Sequence, residues 1–234
     1  MQRYIALATC SLLFVAPSAN AGPRDSHFSD VDQPTPQHQV LPDVPPAEYA
    51  PQEISFIDSI KTVSLWKQLK GKLDTNDYKE YIFSVNAATP PHRHDEVRQK
   101  VANIEFPKGW VLLFLKADGQ WTFDKNHKDV GKCGAEGFPN RGAQGGALCE
   151  TGNAKFGQLI LCQVDKKGSV PGIIGVIFVP FRGIGKPVYN PLWNLELLPF
   201  MNDLKKKAKY YQEDNEGFID CHVIVVNPKA KLRP

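Results

Sequence analysis

Apart from Tyr4 to Val15 the sequence has no long apolar run, and that stretch is shorter than the ~20 residues a membrane-spanning helix needs. Neither sign of charge dominates: 28 Lys and Arg against 25 Asp and Glu leave a net charge of +3, far from the basic excess of a dedicated nucleic-acid binder. Cysteine is scarce, with five in 234 residues, and no Cys-x-x-Cys pair offers a zinc knuckle. Also missing are a phosphate loop, a Gly-x-Ser-x-Gly elbow around any of Ser55, Ser59, Ser64, Ser84 or Ser169, and the paired histidines of a zinc protease. Gly183-Ile184-Gly185-Lys186 is the nearest approach to a phosphate loop and lacks its spacing. No cofactor and no metal are expected.

What is present at the N-terminus is an address. Arg3, the apolar stretch to Val15 and the small-x-small step Ala19-Asn20-Ala21 read as a cleaved secretory signal over residues 1–21, so the protein is expected to be secreted. Cleavage would remove Cys10 and leave Cys133, Cys149, Cys162 and Cys221, an even number in an oxidising compartment. Two disulfides are expected, with three possible pairings; Cys133 with Cys149 and Cys162 with Cys221 is the preferred one. Residues 22–52 carry Pro23, Pro34, Pro36, Pro42, Pro45, Pro46 and Pro51 among polar side chains, too little apolar surface to offset their ordering entropy. They read as a flexible leader, and residues 53–234 as a single globular domain.

Within that domain Ile54, Ile57, Ile60, Val63, Trp66, Leu69 and Leu73 recur every three or four residues, the spacing of one helix ending near Gly71. Tyr78 to Val85 reads as a strand, and Thr89-Pro90-Pro91 opens a second helix whose inner face includes Ile104. Trp110 to Phe123 reads as a hairpin turning at Asp118-Gly119. Lys125 to Lys155 is a glycine-rich loop. Phe156 to Val164 and Gly172 to Phe181 form another hairpin, whose Pro180 belongs at an edge or bulge. Phe200 to Tyr211 reads as a helix and Phe218 to Val226 as the last strand. The sum is an α+β domain: an antiparallel-rich sheet of about five to six strands against two to three helices, stabilised by disulfides.

Acid-base chemistry has few places to sit. His92, His94 and Glu96 lie together with only His92 and Glu96 at helical i, i+4 spacing, and His127 stands alone; these four are the catalytic candidates. His222 alternates with Cys221 and Val223 on a strand facing solvent or a groove, where a general base would need a partner the sequence does not place. Lys205, Lys206 and Lys209 with Tyr189, Trp193 and Tyr210 make a basic, aromatic surface suited to a protein, glycan or RNA partner.

The layout of cleaved signal, proline-rich leader and compact domain with an even cysteine tally resembles small secreted effector proteins of fungal pathogens. Leu159 to Leu161, Gly175-Val176-Ile177 and Phe218-Ile219-Asp220-Cys221 are similar to late segments of secreted fungal ribonucleases and their inactive effector relatives. That likeness implies a helix packed on an antiparallel sheet. It also implies a binder on an enzyme scaffold, because the enzymes' histidine and arginine fall on Val179 and near Gln158. The expectation is therefore a secreted interaction protein, a virulence effector or toxin-like factor acting on a host or neighbouring cell. A secreted ribonuclease-like hydrolase is the alternative.

Overall fold

The computed structural model describes residues 39–89, 103–126, 129, 131–142, 154–163, 177–203 and 213–234. They form β1 (Gln39–Val40), α1 (Pro51–Asp58), α2 (Val63–Lys70), β2 (Tyr78–Asn86), β3 (Ile104–Phe106), β4 (Val111–Thr122), β5 (Leu159–Gln163), β6 (Ile177–Pro180), β7 (Val188–Tyr189), β8 (Leu195–Met201) and β9 (Glu216–Val226). One sheet runs β1-β6-β5-β8-β3 and the other β2-β9-β4-β7. Every pairing is antiparallel except β1 with β6. The mixed α and β content and the antiparallel-rich sheets match the sequence reading. Among the described residues there are nine strands rather than five or six, in two sheets rather than one.

Strand alternation explains the layering. On β9, Ile219, Cys221, Val223 and Val225 join Leu159, Leu161, Ile177, Val179, Leu195 and Leu197 in a core between the sheets. The intervening Ile224 and Val226 point the other way, with Val111, Leu113 and Leu115 of β4, and meet Ile57 of α1, Ile60 of the connection and Trp66 of α2. Covered on both faces and paired on both sides, β9 is apolar at every position from Val223 to Val226. Truncating a fully buried residue such as Ile60 or Val223 would cost roughly 2–4 kcal/mol.

The single long helix expected from the apolar period is two helices. Ser59 Oγ donates to Phe56 O at 2.6 Å as α1 ends, and Thr62 Oγ1 accepts from Leu65 N at 3.2 Å as α2 begins. The apolar period runs on through the break and hides it. β4 is likewise one continuous strand, bulged between Phe114 and Lys116, with no hairpin at Asp118-Gly119. Gly119 has φ +127°, and a Cβ there would lie 2.3 Å from Phe218 O. This glycine answers to a close approach of β9, which a turn reading mistakes for a reversal.

Other expectations are corrected too. Phe200 belongs to β8 and Ile104 to β3, so neither sits on a helix. Pro180 does fall where β6 has run past the two residues of β1, leaving no ladder bond to lose on that side. Residues 39–52, read as flexible leader, are built into the fold: β1 pairs with β6, and Leu41 and Tyr49 are buried. The signal segment and residues 22–38 lie outside the described residues.

The disulfides are absent among the described residues. Cys133, Cys162 and Cys221 are buried thiols, none of them cross-linked, and Cys149 lies outside the described residues. Alternation separates the preferred pair. Cys221 faces the core between the sheets, whereas Cys162 follows Leu161 on β5 and so points to the opposite face of the other sheet.

Candidate functional site

Two loops meet at one end of the sandwich, and one buried side chain ties them. Asn190, directly after β7, is fully buried. Its Nδ2 donates to Phe106 O at 2.8 Å, Pro107 O at 3.1 Å and Trp193 O at 2.9 Å, and its Oδ1 accepts from Leu192 N at 3.1 Å. The backbones are bonded as well, Gly109 N to Asn190 O at 2.7 Å and Asn190 N to Trp110 O at 3.0 Å. Lys108 N donates to Asn194 Oδ1 at 3.0 Å, and Tyr49 OH to Gly109 O at 2.8 Å. Burial, then the charges of Glu48, Tyr189 and Glu53, push the Tyr49 hydroxyl up to about 12, so it stays a donor.

This end holds Trp193 53% exposed, Trp110 half-buried and Lys108 exposed. Among the described residues no ion pair engages Lys108, and neither indole N–H nor Asn194 Nδ2 has a partner in the fold. An exposed tryptophan on an immobilised loop loses little further entropy on contact, the property of a binding anchor.

A second cluster lies on the helix side of the four-stranded sheet. The helices cover only the end carrying Val111, Leu113, Ile224 and Val226. At the other end Ile82 is 76% exposed and Phe218 53% exposed. At the border Glu80 Oε1 accepts from Trp66 Nε1 at 3.0 Å and lies 2.8 Å from His222 Nε2, and Glu80 Oε2 accepts from Lys70 Nζ. Burial raises the Glu80 carboxyl, but the hydrogen bonds from Lys70, Trp66 and His222 outweigh it and hold the group below its ordinary value. An ionised carboxylate has no proton to give, so His222 Nε2 is the donor. On the open side Ser84 Oγ donates to Asp220 Oδ1, and Lys116 Nζ sits 3.5 Å from Asp118 Oδ2.

The residues chosen from sequence divide three ways. Trp193 is at the surface as expected. Tyr189 is not: it is 1% exposed, edge-on to Tyr49 at 5.3 Å between centroids, because both faces of the short β7 are covered. His222, expected at solvent or a groove, is 6% exposed under the rim of α2, and the partner that sequence could not place is Glu80. His92, His94, Glu96, His127, Lys205, Lys206, Lys209, Tyr210 and Cys149 lie outside the described residues.

Sequence reasoning missed Asn190, Glu80 and Asp220. A signal for the first was available: Asn190-Pro191 begins a turn in which the asparagine oxygen caps the amide two residues on. Among the described residues no group of three His, Cys, Asp or Glu side chains is placed to hold a metal ion, and no helix is long and apolar enough to cross a membrane. No protein-family model matches the chain, and no curated protein matches it.

Proposed function

We propose that this is a secreted interaction protein, an effector or toxin-like factor that engages a host or neighbouring cell through the Trp193 end of its sandwich. The observation that carries the reading is Trp193 itself, a large indole left exposed on a loop that Asn190 holds in place. Secretion rests on the Met1 to Ala21 pattern. The thiols are compatible with export, since burial pushes Cys133 and Cys221 up to about 12 and keeps them from forming the thiolate that attacks disulfides.

The test is binding of purified protein to candidate target cells. Trp193→Ala is expected to lower binding at least about tenfold with an unchanged melting midpoint. Unchanged binding would remove this surface from the proposal.

A second reading, a secreted hydrolase, is favoured by one pair. Glu80 orients the His222 ring from beneath, the relation of a general base to its positioning carboxylate. Ser84 stands on the same face, diagonal to His222 across β2 and β9. Loss of a hydrolytic activity in His222→Ala and Ser84→Ala would favour it; no turnover of ester, phosphodiester or glycoside substrates by the parent protein would end it.

A further inference from the structure

We infer that the Trp193 end binds an anionic saccharide. This rests on the reading of that end as the contact surface and adds the chemistry of what is contacted.

The argument starts from which hydrogen-bonding groups remain unused. Six carbonyls at this end already accept: Phe106, Pro107 and Trp193 from Asn190 Nδ2, Gly109 from Tyr49 OH, Trp110 from Asn190 N, and Asn190 from Gly109 N. The asparagine oxygens are taken too, Asn190 Oδ1 by Leu192 N and Asn194 Oδ1 by Lys108 N. Among the described residues of the two loops, 107–110 and 190–194, the side-chain groups left over are donors: the indole N–H of Trp193 and of Trp110, Asn194 Nδ2 and the Lys108 ammonium.

A ligand for this end is therefore rich in acceptors, carries negative charge for Lys108, and has an apolar face for the exposed indole. A pyranose meets all three demands. Its axial C–H groups form a weakly positive face that stacks on the electron-rich indole, its hydroxyl and ring oxygens accept, and a carboxylate or sulfate supplies the charge. An acidic peptide such as polyglutamate fits less well, because it offers the exposed indole no rigid apolar face to stack on. Preformed loops also suit a small, weakly adhesive ligand such as a sugar, since little binding energy is lost to ordering the site. Two carboxylates work against the anion, Glu48 and Glu53, whose charges both act on the Tyr49 hydroxyl.

The experiment is isothermal titration of the full chain with four probes: an oligogalacturonate, a sulfated oligosaccharide of similar length, a neutral cello-oligosaccharide and a polyglutamate peptide. The anionic saccharides are expected to bind at least about tenfold more tightly than the neutral one, and the carboxylated and sulfated arms separate the two sources of charge. Trp193→Ala is expected to weaken both anionic sugars by about tenfold or more, Lys108→Gln to weaken them and flatten the salt dependence, and Glu48→Gln to tighten them. Lys108 and Trp193 are exposed, so neither change threatens folding.

Equal binding of neutral and anionic sugars, equal or better binding of polyglutamate, or no saccharide binding overturns the inference. If no saccharide binds while Trp193→Ala still abolishes attachment to cells, the inference fails and the interaction reading stands. If Trp193→Ala changes neither, both fail.

Discussion

Glu80 and His222, on adjacent strands but two positions out of register, meet at 2.8 Å through Oε1 and Nε2, and the same oxygen takes the indole N–H of Trp66 from α2. One carboxylate thus fastens a helix to two strands.

Glu80→Gln removes the charge that receives Lys70 and forces an amide N–H toward one of three donors. It is expected to destabilise the fold by about 1–3 kcal/mol at pH 7, read as a shift in urea midpoint. Because the folded protein holds this carboxyl below its ordinary value, its contribution is complete above the ordinary carboxylate range and fades as pH falls through the lowered one. The gap between parent and variant should narrow at acid pH. A gap that widens on acidification would reverse the assigned sign.

Cys133 and Cys221 are expected to resist alkylation at pH 8 in the folded protein and to label at once in denaturant, since burial holds both thiols up at about 12. Peptide mapping after a timed pulse reads this directly. Reductant should leave the melting midpoint where it was, because among the described residues no thiol is cross-linked.

Asn190→Ala strands several buried carbonyls and cuts the loops apart. A loss of about 2–3 kcal/mol is expected, together with faster amide exchange at Leu192 and Gly109. Stability close to the parent's would mean that water replaces the amide and the Trp193 loop is not held as described.

Gly119→Ala places a methyl 2.3 Å from Phe218 O at a backbone angle that L residues avoid, and is expected to cost about 2–4 kcal/mol in thermal or urea unfolding. Gly142→Ala, where a Cβ would meet nothing within 4 Å, is the matched control and should be nearly silent.

Much of the strand content was legible in the sequence, because β9 carries the unbroken apolar run that two-sided burial demands and β2 alternates Tyr81, Phe83 and Val85 on the core face with Glu80, Ile82 and Ser84 on the other. The second sheet was less so. β1, β3 and β8 are short or interrupted by Pro199, and their pairing joins segments far apart in the chain, which local pattern does not encode. Asp118-Gly119 was misread because glycine serves both reversal and close approach, and only the partner strand decides between them. The candidate site was legible only at Trp193. Glu80 looks like any polar residue on a half-exposed strand until α2 folds over it with Trp66 and Lys70, and Tyr189 looks like a surface aromatic until Tyr49 covers it.

The short pairing of Gln39 and Val40 with Ile177 and Phe178 sets a limit on how far the proline-rich arm can be cut back. A shortened protein that keeps this pairing has to begin ahead of Gln39. A cut at the more obvious border near Glu53 would strip an edge strand from one sheet, uncap α1 and take away Tyr49, whose hydroxyl braces the loop beneath Trp193.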